Sequence, residues 1–191
     1  LLPHLGEAGF LGLPVPEAHG GLGLDWTTMA LVQERLAWHA YAVGSIVNRV
    51  VGFGAMSVLS YGSEAQKARL LPRITSGRCL IALALTEPQA GSDVGALRST
   101  AEPITEGEHA GKYKIKGQKI FITFGEHDLT DNIVHLVLAR LPDSPAGVRG
   151  ISLFVVPQFL VTDSGGIGEE NDVRCVSIEH KLGIHASPTC T

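Results

Sequence analysis

Cys79-Leu80-Ile81-Ala82-Leu83-Ala84-Leu85-Thr86-Glu87-Pro88-Gln89-Ala90-Gly91-Ser92-Asp93-Val94-Gly95 is where the chain changes character. Before it, apolar residues recur at helical spacing; from Cys79 onward they come in short runs bounded by turn residues. A strand that ends in a hydroxyl, a carboxylate, a proline and glycines presents polar groups from an ordered edge, on a backbone that small residues leave open. Such an edge can hydrogen-bond a planar heterocycle and a phosphate while the strand behind it stays packed. A second block, Gly117-Gln118-Lys119-Ile120-Phe121-Ile122-Thr123, lies downstream. Its spacing places Phe121 and Thr123 on one face of a strand, because side chains repeat every second residue.

Working back toward the N-terminus, the first 78 residues read as helical. Asp25 can cap a helix from about Trp26 to Val43, with Met29, Val32, Leu36 and Trp38 or His39 approximating one face. A second helix is expected over about Ser45 to Ser60, where Gly52 and Gly54 imply close packing. Ser63-Glu64-Ala65-Gln66 has the capping-box spacing, and Pro72 and Gly77 mark the end of that third helix or a kink near it. Gly20-Gly21-Leu22-Gly23 follows no strand and lacks a downstream Lys-Ser/Thr, so it reads as a tight turn, not a phosphate loop.

Working forward, candidate strands are Leu80 to Leu85, Ala110 to Ile115, Gln118 to Thr123, Ile133 to Ala139, Ile151 to Val156 and Asp172 to Glu179. Tyr113-Lys114-Ile115 and Lys119-Ile120-Phe121 alternate around Lys116-Gly117, which suggests a hairpin. The β-branched content favours an antiparallel sheet, sandwich or barrel over βαβ units. The fold class is therefore α+β: a helical bundle portion over residues 1–78, followed by an antiparallel β-barrel or sandwich domain over residues 79–191.

Composition narrows the function classes. A net charge of -4 with no long basic run argues against nucleic acid as the main partner. No run reaches the roughly 18 uninterrupted apolar residues expected of a membrane span. Three widely spaced cysteines, Cys79, Cys175 and Cys190, suggest free thiols in a reducing compartment. The eight histidines show no metal-ligand spacing, and no Gly-x-Ser-x-Gly elbow supports a hydrolase built on Ser92 and Asp93. Glu87 is the carboxylate nearest the polar run, but its place before Pro88 points to fixing the turn, not to proton abstraction. The chain opens without methionine at Leu1-Leu2-Pro3 and reads as a fragment.

The two blocks together resemble the flavin-binding segments of the acyl-CoA dehydrogenase family. The resemblance extends over nearly the whole chain. It includes Leu5-Gly6-Glu7-Ala8-Gly9-Phe10-Leu11-Gly12, Pro14-Val15-Pro16-Glu17, Tyr61-Gly62-Ser63-Glu64-Ala65-Gln66-Lys67 and Glu179-His180-Lys181-Leu182-Gly183-Ile184. The stretch Gly125 to Leu136 looks more like a bacterial branch that includes 3-methylmercaptopropionyl-CoA and broad-range fatty acyl-CoA dehydrogenases.

That resemblance implies FAD as cofactor. The backbone of Leu83 to Leu85 and the Thr86 side chain would meet the flavin ring. Gly91 and Ser92 would approach the pyrophosphate, with Ser92 also near the acyl-CoA. Phe121, Ile122 and Thr123 would cover the other flavin face and edge, with Phe121 standing where many members have tryptophan. The implied reaction of fatty acid metabolism removes an α-proton and a β-hydride to give a trans-2-enoyl-CoA, with electrons passing to an electron-transfer flavoprotein. The family's general-base glutamate is expected beyond Thr191 in a C-terminal helical domain, so no catalytic residue is assigned here and the fragment alone is expected to be inactive. A cytoplasmic bacterial setting and a homo-oligomer, dimer or tetramer, follow from the same resemblance. An acyl-CoA oxidase using oxygen, or a non-catalytic DNA-associated member of the fold, stay open as alternatives.

Overall fold

The computed structural model describes residues 1–162 and 166–191. Helices α1 (Leu2–Glu7), α2 (Trp26–His39), α3 (Tyr41–Asn48), α4 (Met56–Tyr61) and α5 (Glu64–Thr75) occupy the first part of the chain. A π-helical segment, Arg49–Ala55, joins α3 to α4. Asp25 caps α2 by accepting the Thr28 amide at 2.7 Å. The expected run to Val43 is interrupted at Ala40, whose extended backbone ends the helix. The break lets α3 fold back so closely that a Cβ on Gly44 would stand 3.0 Å from the Ala37 side chain. Met29 is buried and Val32 and Leu36 are half-buried, as the spacing implied, but Trp38 is 82% exposed and leaves that face.

The helix Tyr41–Tyr61 runs unbroken through the π segment and, among the described residues, is the one long and apolar enough to cross a membrane by length and composition. Its apolarity has a local use. Ile46, Val47, Val50, Val51, Ala55 and Val58 are buried in one core cluster with Leu71 and Ile74 of α5 and with Cys79, Leu80 and Ile81. Gly54 makes the contact possible, since a Cβ there would lie 3.3 Å from Cβ of Ile81.

The capping box at Ser63 is present in both directions: the Gln66 amide donates to Ser63 Oγ and the Ser63 amide to Gln66 Oε1. Pro72 lies inside α5, and the helix ends in a Schellman motif. There Gly77 has φ +73°, its amide donates to the Ile74 carbonyl, and the Arg78 amide donates to Arg73. Gly20 and Gly23 have positive φ, and a Cβ on Gly21 would overlap the Val15 carbonyl, so the glycine run is the packed turn its composition suggested.

The strands are β1 (Cys79–Ala84), β2 (Thr100–Pro103), β3 (Tyr113–Lys116), β4 (Ile122–Thr123), β5 (Asn132–Arg140), β6 (Ile151–Pro157), β7 (Phe159–Val161), β8 (Ile167–Glu170) and β9 (Thr189–Cys190). The expected antiparallel barrel or sandwich is corrected to a mixed sheet in the order β1-β5-β2-β3, with β6 pairing β5, and no closed barrel forms among the described residues. β1 pairs β5 in parallel, Ile81 opposite Val134 and Leu83 opposite Leu136, while β6 runs antiparallel to β5. The reason lies in β5, buried almost throughout and flanked by strands on both edges, which is the pattern of a central strand rather than a half-wet one. Alternate residues of this pair divide the core. Val134 and Leu136 face the helices, whereas Ile133 and Val137 join Ala82, Ala84, Ile122 and Cys190 on the other side.

Three further expectations are corrected. The hairpin around Lys116-Gly117 does not form: β3 pairs with β2, Thr100 opposite Lys116. Gly117 packs so tightly on Ser99 that a Cβ would reach its Oγ at 2.0 Å, so the chain runs past β2 instead of turning back. The strand from Gln118 shrinks to Ile122–Thr123, which pairs with β9. Asp172 to Glu179 is irregular, touching β9 through an isolated bridge between Ile178 and Cys190. All three cysteines are free thiols.

Candidate functional site

The polar run after β1 is built around Glu87. This carboxylate is 4% exposed and accepts from Lys119 Nζ at 2.8 Å, from Ser99 Oγ at 2.6 Å and from the Ser99 amide at 3.0 Å. Its other oxygen accepts from the Arg98 amide at 2.7 Å and from Gln89 Nε2 at 2.6 Å. Burial alone would raise its pKa, but the bonds from Lys119, Ser99 and the two amides overcome that and bring it to about 2. Glu87 and Ala90 also exchange backbone hydrogen bonds at 3.0 Å, closing the turn through Pro88 and Gln89. Every oxygen of Glu87 is thus occupied in holding the turn, as its place before Pro88 suggested.

The same cluster ties the two sequence blocks together. Lys119 also donates to the Leu85 carbonyl at 3.1 Å, and the Ile120 amide donates to the Thr86 carbonyl at 2.9 Å. Beyond the turn, Arg140 fastens the loop after Ser92 by donating from Nε to the Leu97 carbonyl at 3.1 Å and from its terminal nitrogens to the Gly95, Pro145 and Gly147 carbonyls. Gly91 and Ser92 are left exposed between these two anchors, and Thr86 and Leu85 are half-buried behind them.

Phe121 and Thr123 do not share a strand face, because Phe121 precedes β4 and has a left-handed backbone with φ +59°. That conformation turns the ring outward, 60% exposed. The two side chains nonetheless meet. With Arg49, Phe53, Ile81 and Leu83 they line a cavity of 80 Å³ between the π-helical segment and the helix-facing side of β1. Ile122 points the opposite way, 5% exposed in the core with Ala82, Ala84 and Ile133, so only its backbone can reach a ligand at this cavity.

Arg49, Phe53 and Ile81 were not singled out by the sequence. The available signal was a lone arginine followed by Gly52 and Gly54 in an otherwise apolar helix. Burial lowers the Arg49 pKa from its ordinary value while Tyr41 raises it, and the group stays a cation. Its Cζ lies 5.8 Å from the Phe53 ring centroid. A larger depression of 190 Å³ beside Pro88 is lined by groups already bonded to Glu87, including Ser99 and Gln89. No group of three His, Cys, Asp or Glu side chains placed to hold a metal occurs among the described residues.

These parts suit a flat, hydrogen-bonding ring. An apolar wall (Ile81, Leu83), an outturned aromatic and a half-buried hydroxyl converge on one cavity, and an exposed Gly-Ser pair on an anchored turn offers space for a phosphate. Residues 1–78 match the family model for the acyl-CoA dehydrogenase N-terminal domain, and residues 82–191 match that for the middle domain. The chain is 48% identical over 184 residues to 3-methylmercaptopropionyl-CoA dehydrogenase of Ruegeria pomeroyi, covering 96% of this chain and 30% of that protein. A chain in the structure of the electron transferring flavoprotein of Acidaminococcus fermentans superposes with a TM-score of 0.79 at 34% identity, covering 99% of this chain and 44% of that one. An acyl-CoA dehydrogenase of Bacillus anthracis complexed with FAD gives 0.75 at 34% identity, with 99% and 28% covered. The chain thus spans under half the length of these relatives.

Proposed function

The chain belongs to the acyl-CoA dehydrogenase family, and on that premise we propose that it forms the flavin and thioester platform of an FAD-dependent enzyme converting an acyl-CoA to a trans-2-enoyl-CoA. The observation that carries this reading is the meeting of Leu83, Phe121 and Thr123 at one cavity under the π-helical segment, with the two sequence blocks bonded through Ile120 and Thr86. FAD, when bound, supplies the acceptor for the β-hydride.

The chain's own residues bind and orient. The Leu85 carbonyl is taken by Lys119, so the N–H groups of Leu85 and Thr86 and the Thr86 hydroxyl are what this edge offers the ring. Thr123 supplies a hydroxyl at the ring edge, Phe121 and the Ile122 backbone cover one face, and Leu83 and Ile81 keep water from the other side of the cavity. Gly91 and Ser92, exposed on their anchored turn, take the pyrophosphate, and Ser92 lies on the path of the CoA. Residues 1–78 serve as the helical domain and 79–191 as the flavin domain. Among the described residues no carboxylate lines the cavity, so this reading takes the α-proton acceptor from elsewhere in the whole protein. The outturned Phe121 ring gives a transfer flavoprotein a place to approach the reduced cofactor. A cytoplasmic, homo-oligomeric bacterial enzyme is the setting this reading assigns.

The test uses the full-length protein. It should purify with FAD and form enoyl-CoA when a transfer flavoprotein or a dye accepts electrons. Thr123→Ala removes the one hydroxyl that lines the cavity, a loss of about 1–3 kcal/mol if it bonds the ring, and should weaken FAD retention roughly tenfold or shift the flavin spectrum. Unchanged flavin content and reduction rate in that variant would remove Thr123 from the site. Stoichiometric hydrogen peroxide from the wild type would make oxygen, not a flavoprotein, the acceptor.

A further inference from the structure

Of the three cysteines, Cys175 and Cys190 come together on the side of the sheet away from the helices. Cys190 lies in β9, 3% exposed and opposite Ile122 of β4. Gly125 makes room for it, since a Cβ there would stand 3.1 Å from Cβ of Cys190. Cys175 comes from the irregular segment after Asp172 and packs half-buried against the same cluster. Backbone bonds explain how it reaches that place. Ile178 faces Cys190 across an isolated bridge, flanked by the Glu179 amide donating to the Thr189 carbonyl at 2.8 Å and the Thr191 amide to the Ser177 carbonyl at 3.0 Å. A regular ladder would return the Ser177 amide to Thr191, but the Val176 amide takes that carbonyl instead, at 2.7 Å. Val176 and Ser177 thus both oppose Thr191, as in a β-bulge, and the extra residue turns Cys175 to the face of Cys190. The two thiols are in hydrogen-bonding contact. Burial pushes the Cys190 pKa up to about 11 and the charge and hydrogen bond of Cys175 add to that, while backbone hydrogen bonds from Glu126 and Gly125 work the other way. Cys79 stands apart, buried in the helix-side core.

We propose that Cys175 and Cys190 form a reversible redox site, oxidised by hydrogen peroxide to an intramolecular disulfide that staples segment 172–179 to β9. The proposal goes beyond the dehydrogenase reading and does not depend on it, since neither cysteine lines the cavity assigned to the flavin. Cys175 is the half-exposed member and the one that a solvent oxidant reaches. Its sulfur attacks one peroxide oxygen, the O–O bond breaks, and Cys175 becomes a sulfenic acid with release of one water. The Cys190 sulfur then attacks the sulfenic sulfur. The S–S bond forms, the S–O bond breaks, and the hydroxyl leaves with the Cys190 proton as a second water. Two thiols thereby lose two electrons, and one peroxide is reduced to two waters. A thiol pair that closes only under oxidant is the form that disulfides take in a reducing compartment. The irregular backbone of 172–179 can adjust to disulfide geometry without breaking a regular sheet.

The experiment treats the full-length protein, reduced and then freed of reductant, with hydrogen peroxide under native conditions. The sample is quenched in acid, unfolded, alkylated and mapped by mass spectrometry without reduction. A linked Cys175–Cys190 peptide pair, lighter by two hydrogens than the two thiol peptides, should accumulate while Cys79 is recovered alkylated. Dithiothreitol added without denaturant should restore both thiols. Cys175→Ser, at the half-exposed position, should lose the link entirely and leave Cys190 alkylated. Cys190→Ser removes the second thiol and should leave Cys175 as a sulfenic acid that dimedone traps. If both thiols of the wild type stay alkylatable, or if Cys175 runs on to sulfinic and sulfonic acid without a link, the inference falls. A link found only between chains, or Cys79 joined as readily as Cys190, would overturn it as well. A link that dithiothreitol cannot reopen in the native protein would make it a structural disulfide and not a redox site. FAD content and turnover enter none of these readouts, so failure of the dehydrogenase reading would leave the result standing.

Discussion

Glu87 shows how a carboxylate beside a ligand site can belong wholly to structure. Its ordinary pKa of 4.5 falls to about 2 in the folded chain. Because the native state then binds fewer protons than the unfolded one, its stabilisation is complete above the unfolded value and is lost as pH falls from there toward 2. Chemical melts at pH 5 and pH 3, about the window in which the unfolded carboxyl titrates, should show a larger loss for wild type than for Glu87→Gln. Removing the partner is worse than removing the charge. Lys119→Met leaves a buried carboxylate unpaired and should cost about 3 kcal/mol at neutral pH, with Glu87→Gln/Lys119→Met recovering part of it. If the loss in the double variant equals the sum of the losses in the two single variants, the ion pair carries no coupling. Proline at the next position made this structural role readable in the sequence. The Arg49 cavity was not readable there, because it joins residues far apart in the chain that only the packing of the π segment on β1 brings together.

Local signals survived folding where both partners were local. The capping box needs only Ser63 and Gln66, and the end of α5 needs only Gly77 in its left-handed conformation; both were legible and both formed. Ser63→Ala should therefore cost about 1 kcal/mol in urea unfolding. Gly77→Ala should cost more than about 2 kcal/mol, because the positive φ penalises a side chain and the added Cβ would sit 2.3 Å from the Leu2 carbonyl. A Gly77→Ala variant as stable as wild type would mean that α1 can move off this turn freely. The elements misread were those whose partner is distant. Lys119-Ile120-Phe121 alternates like a strand, yet Lys119 is drawn to Glu87 and Ile120 to Thr86, and the left-handed Phe121 ends the alternation. β7 and β8 were missed because each is only a few residues long, Phe159–Val161 and Ile167–Glu170.

For the whole molecule, the change from helical to strand period at Cys79 was plain, but the hand of strand pairing was not. A long connection through β2 and β3 returns the chain to run β5 parallel to β1, and no short-range pattern encodes that return. The near-continuous apolar run Ile133 to Ala139 was the available hint of a central strand. The same scale decides what residues 1–191 can do alone. Among the described residues the cavity has a cation, a hydroxyl and apolar walls but no carboxylate, and Glu87 is held ionised inside its own cluster. A positioned base typically contributes about 10²–10⁴-fold, so its absence alone would depress turnover severely. Phe53 and Phe121, which line the cavity, are exposed, and Val176, Ile178, Leu182 and Ile184 near the end of the chain are each exposed. Water would enter the cavity, and the many exposed large apolar side chains would favour self-association. Residues 1–191 produced alone should accordingly form no measurable enoyl-CoA with added FAD, and light scattering should show concentration-dependent association. Retained FAD without turnover fits this account. Steady enoyl-CoA formation by this chain alone would refute it, and Glu87→Gln would then be the first variant to assay as the base.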